Sequence, residues 1–228
     1  MKIYLVRGDP DFGWVEPLNW GAWRFRGGVS VRSPWPELKM AVRSDDPHPD
    51  FLPSDCFPMN TGTDGPILSD FARKSLELLL SPAGEFWPVQ LLNRRYWWFN
   101  CLACVDALDT TLTDGDWETI SGDWGTFRWM TSVTKLALRP TALTLAPSLF
   151  RLPEFPQGVL LGTELLQDAV TRSGLVGFRF DCLWSLSHGG VQNPPGFGLQ
   201  EENRVSTFGE LAHKRAQASA TLAKRSEG

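Results

Sequence analysis

Cys101 and Cys104 are separated by two residues, which is the spacing of a redox-active cysteine pair or of half a zinc site. They fall in residues 96–108, whose aromatic and β-forming side chains predict a strand, and positions three apart in a strand face opposite sides. The sequence offers no second Cys-x-x-Cys and no His pair to complete four metal ligands. We therefore interpret both cysteines as small hydrophobic core residues and predict neither a metal site nor a disulfide scaffold.

The other motifs for catalysis or cofactor binding are incomplete. Ser187-His188 suggests part of a hydrolytic triad, but no Gly-x-Ser-x-Gly elbow is present to hold a nucleophile. Gly196-Phe197-Gly198 lacks the third glycine and the following helix of a dinucleotide site. The acids of residues 114–118 do not have the spacing of a calcium-binding loop. We predict a protein that is not an enzyme and has no catalytic residues, cofactor or metal.

Charge is distributed unevenly along a chain whose net charge is only −4. Residues 44–72 and 96–127 contain acids but no Lys or Arg. The acids are Asp45, Asp46, Asp50, Asp55, Asp64 and Asp70 in the first stretch, and Asp106, Asp109, Asp114, Asp116, Glu118 and Asp123 in the second. The two stretches carry −12, so the remaining 22 basic and 14 acidic residues carry +8. Such stretches repel phosphate, so we predict no binding to nucleic acid.

Among the 11 tryptophans of the chain, Trp117 and Trp124 lie in the predicted loop of the second acidic stretch, flanked by acids and glycines. Large aromatic residues beside acids and glycines in a loop are typical of a protein-binding hot spot. The predicted partner-binding residues are Asp114, Asp116, Trp117, Glu118, Asp123 and Trp124. Two alternatives remain open: these tryptophans pack in the core, as expected of Trp97, Trp98 and Trp129 in predicted strands, or exposed tryptophans stack on sugars in a carbohydrate- or ligand-binding module.

Length and composition indicate the class of protein and its domain organisation. A chain of 228 residues with 42% hydrophobic and 21% charged residues is globular. We predict a single α+β domain over residues 1–190, followed by an irregular segment and a weakly helical or disordered tail over 191–228. No apolar run reaches the roughly 20 residues that span a bilayer, and the opening is too short and charged for a signal peptide, so we expect a cytoplasmic protein without membrane contact.

Two helices are predicted, with mostly antiparallel strands around them. Ser69 is a suitable N-cap for a helix over residues 69–80, whose predicted stripe consists of Phe71, Ser75, Leu78 and Leu79. Thr163 and Gly174 delimit a second helix over residues 164–173. The Ala-rich residues 210–224 predict a marginal C-terminal helix.

The strands are predicted from short apolar or alternating runs between turn residues. They cover residues 3–7, 23–26, 29–32, 86–92, 96–108, 126–138, 150–152, 159–161 and 176–183. Asn93, Arg94 and Arg95 are predicted to form the turn between the fourth and fifth of these. Residues 44–66, 113–125 and 187–207 are predicted to be loops or irregular.

Six runs, in order and spacing, resemble a bacterial immunity-protein family, the eleventh of those that guard polymorphic toxin systems. They are Pro66-Ile67-Leu68-Ser69-Asp70-Phe71, residues 85–89, 96–109, 149–152, 160–165 and 174–180, within a similarity that covers about residues 20–185. Its most distinctive part is residues 100–109.

The resemblance implies a cytoplasmic inhibitor that binds a toxin delivered by sibling cells and blocks it by protein–protein contact. It implies no catalytic residues. An acidic face suits a basic, nuclease-type toxin, because opposite charge speeds encounter. The aromatic surface is also compatible with a homodimer.

Overall fold

The computed structural model describes residues 1–18, 30, 38–42, 54–58, 65–122, 125–155, 159–190, 217, 220, 221 and 224. The predicted strands over 23–26 and 29–32 lie outside these residues, Ser30 excepted.

The described residues form an α+β fold with mostly antiparallel sheets, as predicted. The strands are β1 (Lys2–Gly8), β2 (Val15–Pro17), β3 (Leu38–Val42), β4 (Cys56–Phe57), β5 (Ile67–Ser69), β6 (Gly84–Leu91), β7 (Arg94–Cys101), β8 (Trp117–Gly122), β9 (Gly125–Met130), β10 (Leu149–Phe150), β11 (Leu160–Thr163), β12 (Phe178–Ser185) and β13 (Gly189–Gly190). The helices are α1 (Asp70–Leu80), α2 (Pro140–Leu143) and α3 (Glu164–Arg172), with a 3₁₀ turn over Pro10–Phe12.

The strands assemble into two larger sheets and one separate hairpin. The first sheet has the order β10-β11-β1-β12-β13 and the second β2-β3-β6-β7-β5-β4. Strands β8 and β9 pair with each other. The pairing of β3 with β6 is parallel, and the other strand pairs of the described residues are antiparallel.

The two longer helices join the sheets through one apolar cluster. It contains Val6 and Leu160 of the first sheet, Leu68 and Phe99 of the second, and both helices, through side chains such as Leu76. Burying this many apolar side chains in one cluster is the main stabilising term for such an arrangement. A second cluster lies on the other face of the first sheet, where Leu5 and Leu161 pack against residues 130–155.

The ends of the two helices follow local sequence signals. The Ser69 side chain accepts a hydrogen bond of 3.0 Å from the Ala72 amide, as an N-cap does. Gly174 has a φ of +58° and ends α3, whereas Thr163 begins it without a side-chain capping bond. The predicted stripe of α1 was wrong for Phe71 and Leu78, which are exposed, whereas Leu79 packs against the core cluster. The buried residues of the helix are Ala72, Leu76 and Leu80.

The hairpin between β6 and β7 differs from its prediction. Its two-residue turn is Leu92–Asn93, with φ of +50° and +59°, and Arg94 and Arg95 already belong to β7. Paired positive φ values are typical of the tight turns that match the twist of a hairpin. The strand ends at Cys101 rather than at 108, because the amides of residues 102 and 103 both donate to the Ala83 carbonyl.

Strands also occur where loops were predicted. Cys56–Phe57 within 44–66 forms a buried two-residue strand, and Trp117–Gly122 within 113–125 forms β8. The predicted strand over 126–138 is regular only to Met130. The short helix Pro140–Leu143 and the strand Leu38–Val42 were not predicted.

The described part of the tail is helical at residues 217, 220, 221 and 224. Thr221 donates a hydrogen bond to the Gln217 carbonyl, one helical turn earlier. Among the described residues, no helix has the length and apolar character needed to cross a bilayer.

Candidate partner-binding ribbon

The predicted site lies on a long, irregular antiparallel structure, formed by residues 106–122 and 125–139, which we call the ribbon. Its base begins where the Arg139 amide donates to the Ala107 carbonyl at 2.8 Å, and it continues where the Asp114 amide donates to the Lys135 carbonyl at 2.9 Å. Beyond the base, β8 and β9 run in register from Trp117 opposite Met130 to Gly122 opposite Gly125. The ribbon therefore fixes each side chain relative to a partner strand.

Gly115 allows the two halves of the ribbon to approach closely at the base. A Cβ at this position would lie 2.2 Å from the Ser132 carbonyl oxygen and 2.7 Å from the terminal methyl of Met130. On either side of it, the Asp114 amide and the Asp116 amide bond to the returning segment, the latter to Ser132 at 3.2 Å. Because Gly115 has no side chain, the two halves can approach closely enough for these bonds, which fix the backbone of Asp114 and Asp116.

The two halves of the ribbon carry opposite charge. The outgoing half, residues 106–122, contains acids and no Lys or Arg, whereas the returning half, residues 125–139, contains bases and no Asp or Glu. The acids are Asp106, Asp109, Asp114, Asp116 and Glu118, and the bases are Arg128, Lys135 and Arg139. Five negative and three positive charges leave a net −2, so the returning half offsets part of the acidic stretch.

The first two acids are occupied within the ribbon. The Arg139 guanidinium lies 2.5 Å from an Asp106 carboxylate oxygen and also donates to the Asp106 carbonyl. Asp109 accepts hydrogen bonds from the Thr111 hydroxyl at 2.7 Å and from the amides of Thr111 and Leu112. The Thr111 hydroxyl in particular lowers the pKa of Asp109, because it bonds to the charged form. These two acids stabilise the base.

The next three acids are displayed. Asp114, Asp116 and Glu118 are exposed. Asp116 accepts a hydrogen bond from the Ser132 hydroxyl at 2.6 Å. Within the described part of the chain, the carboxylates of Asp114 and Glu118 make no hydrogen bond or ion pair. The exposed negative charge of the ribbon is therefore concentrated where β8 begins.

Trp117 has a structural position as well as a predicted role. Its side chain is half-buried and packs against the cluster that contains Met130 and Val133. The Arg128 guanidinium carbon lies 4.5 Å from the centroid of its ring, which is a cation–π distance. Trp117 therefore anchors β8 to the body of the protein. Asp123 and Trp124 lie outside the described residues.

Cys101 and Cys104 do not form a paired thiol site. Cys101 is buried, and its burial raises the pKa of the thiol to about 11, while Cys104 is exposed beyond the end of β7. Both thiols are free, and burial also raises the pKa of Cys104. A thiol with a raised pKa is a poor nucleophile and metal ligand near neutral pH.

The serine–histidine pair lies in the exposed turn between β12 and β13. The Ser187 hydroxyl is 2.7 Å from Nδ1 of His188, and the Ser185 hydroxyl is 3.4 Å from the same nitrogen. Among the described residues, no group of three or more His, Cys, Asp or Glu side chains is arranged to hold a metal ion.

The tryptophans whose side chains are described are packed, not displayed. Trp98 and Trp184 are buried, and Trp14, Trp87, Trp97 and Trp117 are half-buried. A module that stacks sugars on exposed rings therefore receives no support from this part of the chain.

Sequence reasoning missed a cluster of arginine and aromatic side chains on the second sheet. The Arg73 guanidinium carbon lies 3.9 Å from the centroid of the Trp97 ring and 5.5 Å from that of Phe86. Arg73 also pairs with Glu77 at 3.1 Å, and the Trp97 indole nitrogen donates to Asp70. The spacing of Asp70 and Arg73 on one face of α1 was visible, but their common partner is set by the β5–β7 register.

Comparison of the chain with protein-family models gives no match, and comparison with curated proteins finds no similar sequence. The family resemblance accordingly rests on the six sequence runs quoted above.

Proposed function

We propose that this chain is an immunity protein, which binds a cognate bacterial toxin and neutralises it by protein–protein contact, without catalysis of its own. The observation that carries the proposal is the charge-segregated ribbon, which displays Asp114 and Asp116 just before β8 and Glu118 on β8, next to the half-buried Trp117. The resemblance of the six sequence runs to the immunity family supports the same function.

The proposed partner is a basic toxin domain of the nuclease type. Such a domain must attract phosphate, so its substrate-binding surface is positively charged. Acids whose backbone is bonded to a returning segment, as that of Asp114 and Asp116 is, offer a complementary surface at a lower entropic cost than acids on an unpaired loop. Bound there, the ribbon blocks the surface that the toxin needs for nucleic acid.

Charge complementarity acts mainly on the rate of association and is screened by salt. The removal of displayed acids should therefore slow binding at low ionic strength more than at high ionic strength. An acid elsewhere on the surface should matter less, because only the ribbon is proposed to face the toxin.

The test is a titration with the inactivated catalytic domain of a candidate cognate toxin, measured by surface plasmon resonance or stopped flow. D114N/E118Q removes two displayed charges, and D168N/E77Q removes two charges from the helices as a matched control. We expect the ribbon variant to associate about tenfold more slowly at low salt, and the control to associate at nearly the unaltered rate. Equal rates for both variants would remove the ribbon from the interface, and no binding by the unaltered chain would overturn the proposed function.

A further inference from the structure

The two edges of the β8–β9 hairpin are unequal. The Thr131 amide donates to the Asp116 carbonyl, so the backbone groups of Asp116 and Thr131 face each other. Hydrogen-bonded and non-hydrogen-bonded pairs alternate along an antiparallel ladder. The backbone groups of Trp117 and Thr119 therefore point away from β9. Consistent with this phase, the Met130 amide does not bond to β8 but donates to the Glu154 carbonyl at 2.7 Å. The outer edge of β9 is thus bonded to another segment at Met130.

The outer edge of β8 is open within the described part of the chain. There, the backbone amides and carbonyls of Trp117 and Thr119 make no hydrogen bond. An open edge is a template for another strand, and natural proteins protect such edges with charge or cover them with a partner. The acids near this edge protect it against non-specific strand pairing. They also favour a pairing segment of opposite charge.

Charge decides between the occupants of this edge. A second copy of this segment would bring Glu118 of β8, with Asp114 and Asp116 before it, close to the same acids of its partner, and like charges across strands are destabilising. An extended segment that carries Lys or Arg would place opposite charges at the same short cross-strand distances. Asp114 and Asp116 lie just before this edge and are exposed. The preference for Lys or Arg therefore also applies to the residues of the added segment that lie beside the start of β8.

We infer that the outer edge of β8 binds its partner by strand addition, taking up a basic extended segment of the toxin. Main-chain hydrogen bonds to Trp117 and Thr119 would supply affinity, and the acids would select Lys- or Arg-bearing segments. This inference rests on the proposed function and specifies how the ribbon makes contact.

The test replaces the edge amide while the charge is left unchanged. Thr119→Pro removes an N–H that does not take part in the β8–β9 ladder, and proline is tolerated on strand edges where its nitrogen faces outward. Thr119→Ala keeps the N–H and serves as the matched control. We expect Thr119→Pro to weaken binding of the inactivated toxin domain by about tenfold relative to Thr119→Ala, with circular dichroism spectra of the two variants superimposable.

Amide hydrogen exchange of the unaltered chain provides a measurement that does not depend on the folding of the proline variant. The Trp117 and Thr119 amides should exchange rapidly in the free protein and at least tenfold more slowly in the complex. Toxin binding without protection of these amides would overturn strand addition while the proposed function stands. Protection that grows with concentration of the chain alone would indicate pairing between copies and would also overturn it. No toxin binding at all would overturn both proposals.

Discussion

Asp55, from the first acid-only stretch, and the acids at the start of β8, from the second, have different roles in the fold. In the first, Asp55 is only 2% exposed and lies at the junction of the two sheets. Its carboxylate accepts from the Ser69 hydroxyl at 2.7 Å and from the Val176 amide at 2.9 Å. In the second, Asp114 and Glu118 are exposed and carry charge outward. The same sequence signal yields an internal clamp in one region and a displayed surface in the other.

The difference lies in what faces each acid. Asp55 is bracketed by backbone bonds as well, since its amide donates to Val176 and its carbonyl accepts from Ser69. These four bonds join the start of β4 to the N-cap of α1 and to the residues before β12. On the ribbon, by contrast, the half opposite the acids carries bases. Arg139 pairs with Asp106, whereas the carboxylates of Asp114 and Glu118 have no partner among the described residues. A run of acidic residues in the sequence therefore does not show which of its carboxylates are exposed in the fold.

The largest effect should follow from removal of the internal clamp. Asp55→Ala leaves the Ser69 hydroxyl and the Val176 amide without their acceptor in the protein interior, so we expect a loss of about 3 kcal/mol in the free energy of unfolding. Urea denaturation measures it, with Asp114→Ala as the control, an exposed acid whose carboxylate has no partner among the described residues and which should change by under about 0.5 kcal/mol. Similar losses for the two variants would break the comparison.

A smaller loss should follow from a side chain at the base of the ribbon. Gly115→Ala places a Cβ against the Ser132 carbonyl, and we expect this overpacking to cost about 2 kcal/mol and to weaken toxin binding. Gly189→Ala is the contrast, because its site has open space but a φ of +70°, so only backbone strain of about 1 kcal/mol is expected. Thermal unfolding of both variants measures these losses, and toxin binding by Gly115→Ala shows whether the displayed acids depend on the close approach. A Gly115→Ala protein with unchanged stability and binding would contradict this account.

Asp70, the exposed acid of the first stretch, should have an intermediate effect. It stands in the first turn of α1 and accepts from the Trp97 indole, so Asp70→Ala removes a charge-assisted bond and a favourable interaction with the helix dipole. We expect a loss of about 1 kcal/mol in stability. Asp70→Asn, which keeps an acceptor, should recover part of it in the same urea experiment, and a larger loss for Asn than for Ala would refute this account.

The smallest effect on stability is expected for the displayed acids themselves. D114N/E118Q should change the free energy of unfolding by less than about 0.5 kcal/mol, because neither carboxylate has a partner within the described residues. The same variant is the one expected to slow toxin association. A marked loss of stability here would show that these acids are structural, as Asp55 is, and would remove the contrast between the two stretches.

Several elements were predictable because their signals are local. Ser69 and Gly174 mark helix ends through bonds and φ values that depend on near neighbours, and β1 follows from five consecutive strand-forming residues. Burial within an element was less predictable. The sequence of α1 permits two apolar stripes, and only its packing on Leu68 and Phe99 selects the one with Leu76.

The candidate site shows the same division. Its acids and Trp117 could be identified from the sequence, but a loop was expected where β8 pairs with β9, since acid- and glycine-rich segments carry a weak strand signal. That Arg128 lies over Trp117, and that the Met130 amide donates to the Glu154 carbonyl, depends on residues brought together by register and packing.

By itself the sequence determined the α+β class, the positions of the two main helices and the uneven placement of charge. These follow from periodicity, capping residues and composition, which act over a few residues. Only the tertiary structure decided which acids are buried, which are opposed by bases and which strand edge stays open. Those properties depend on the distances between residues far apart in the chain, and electrostatic and hydrogen-bonding energies are set by such distances and not by order in the sequence.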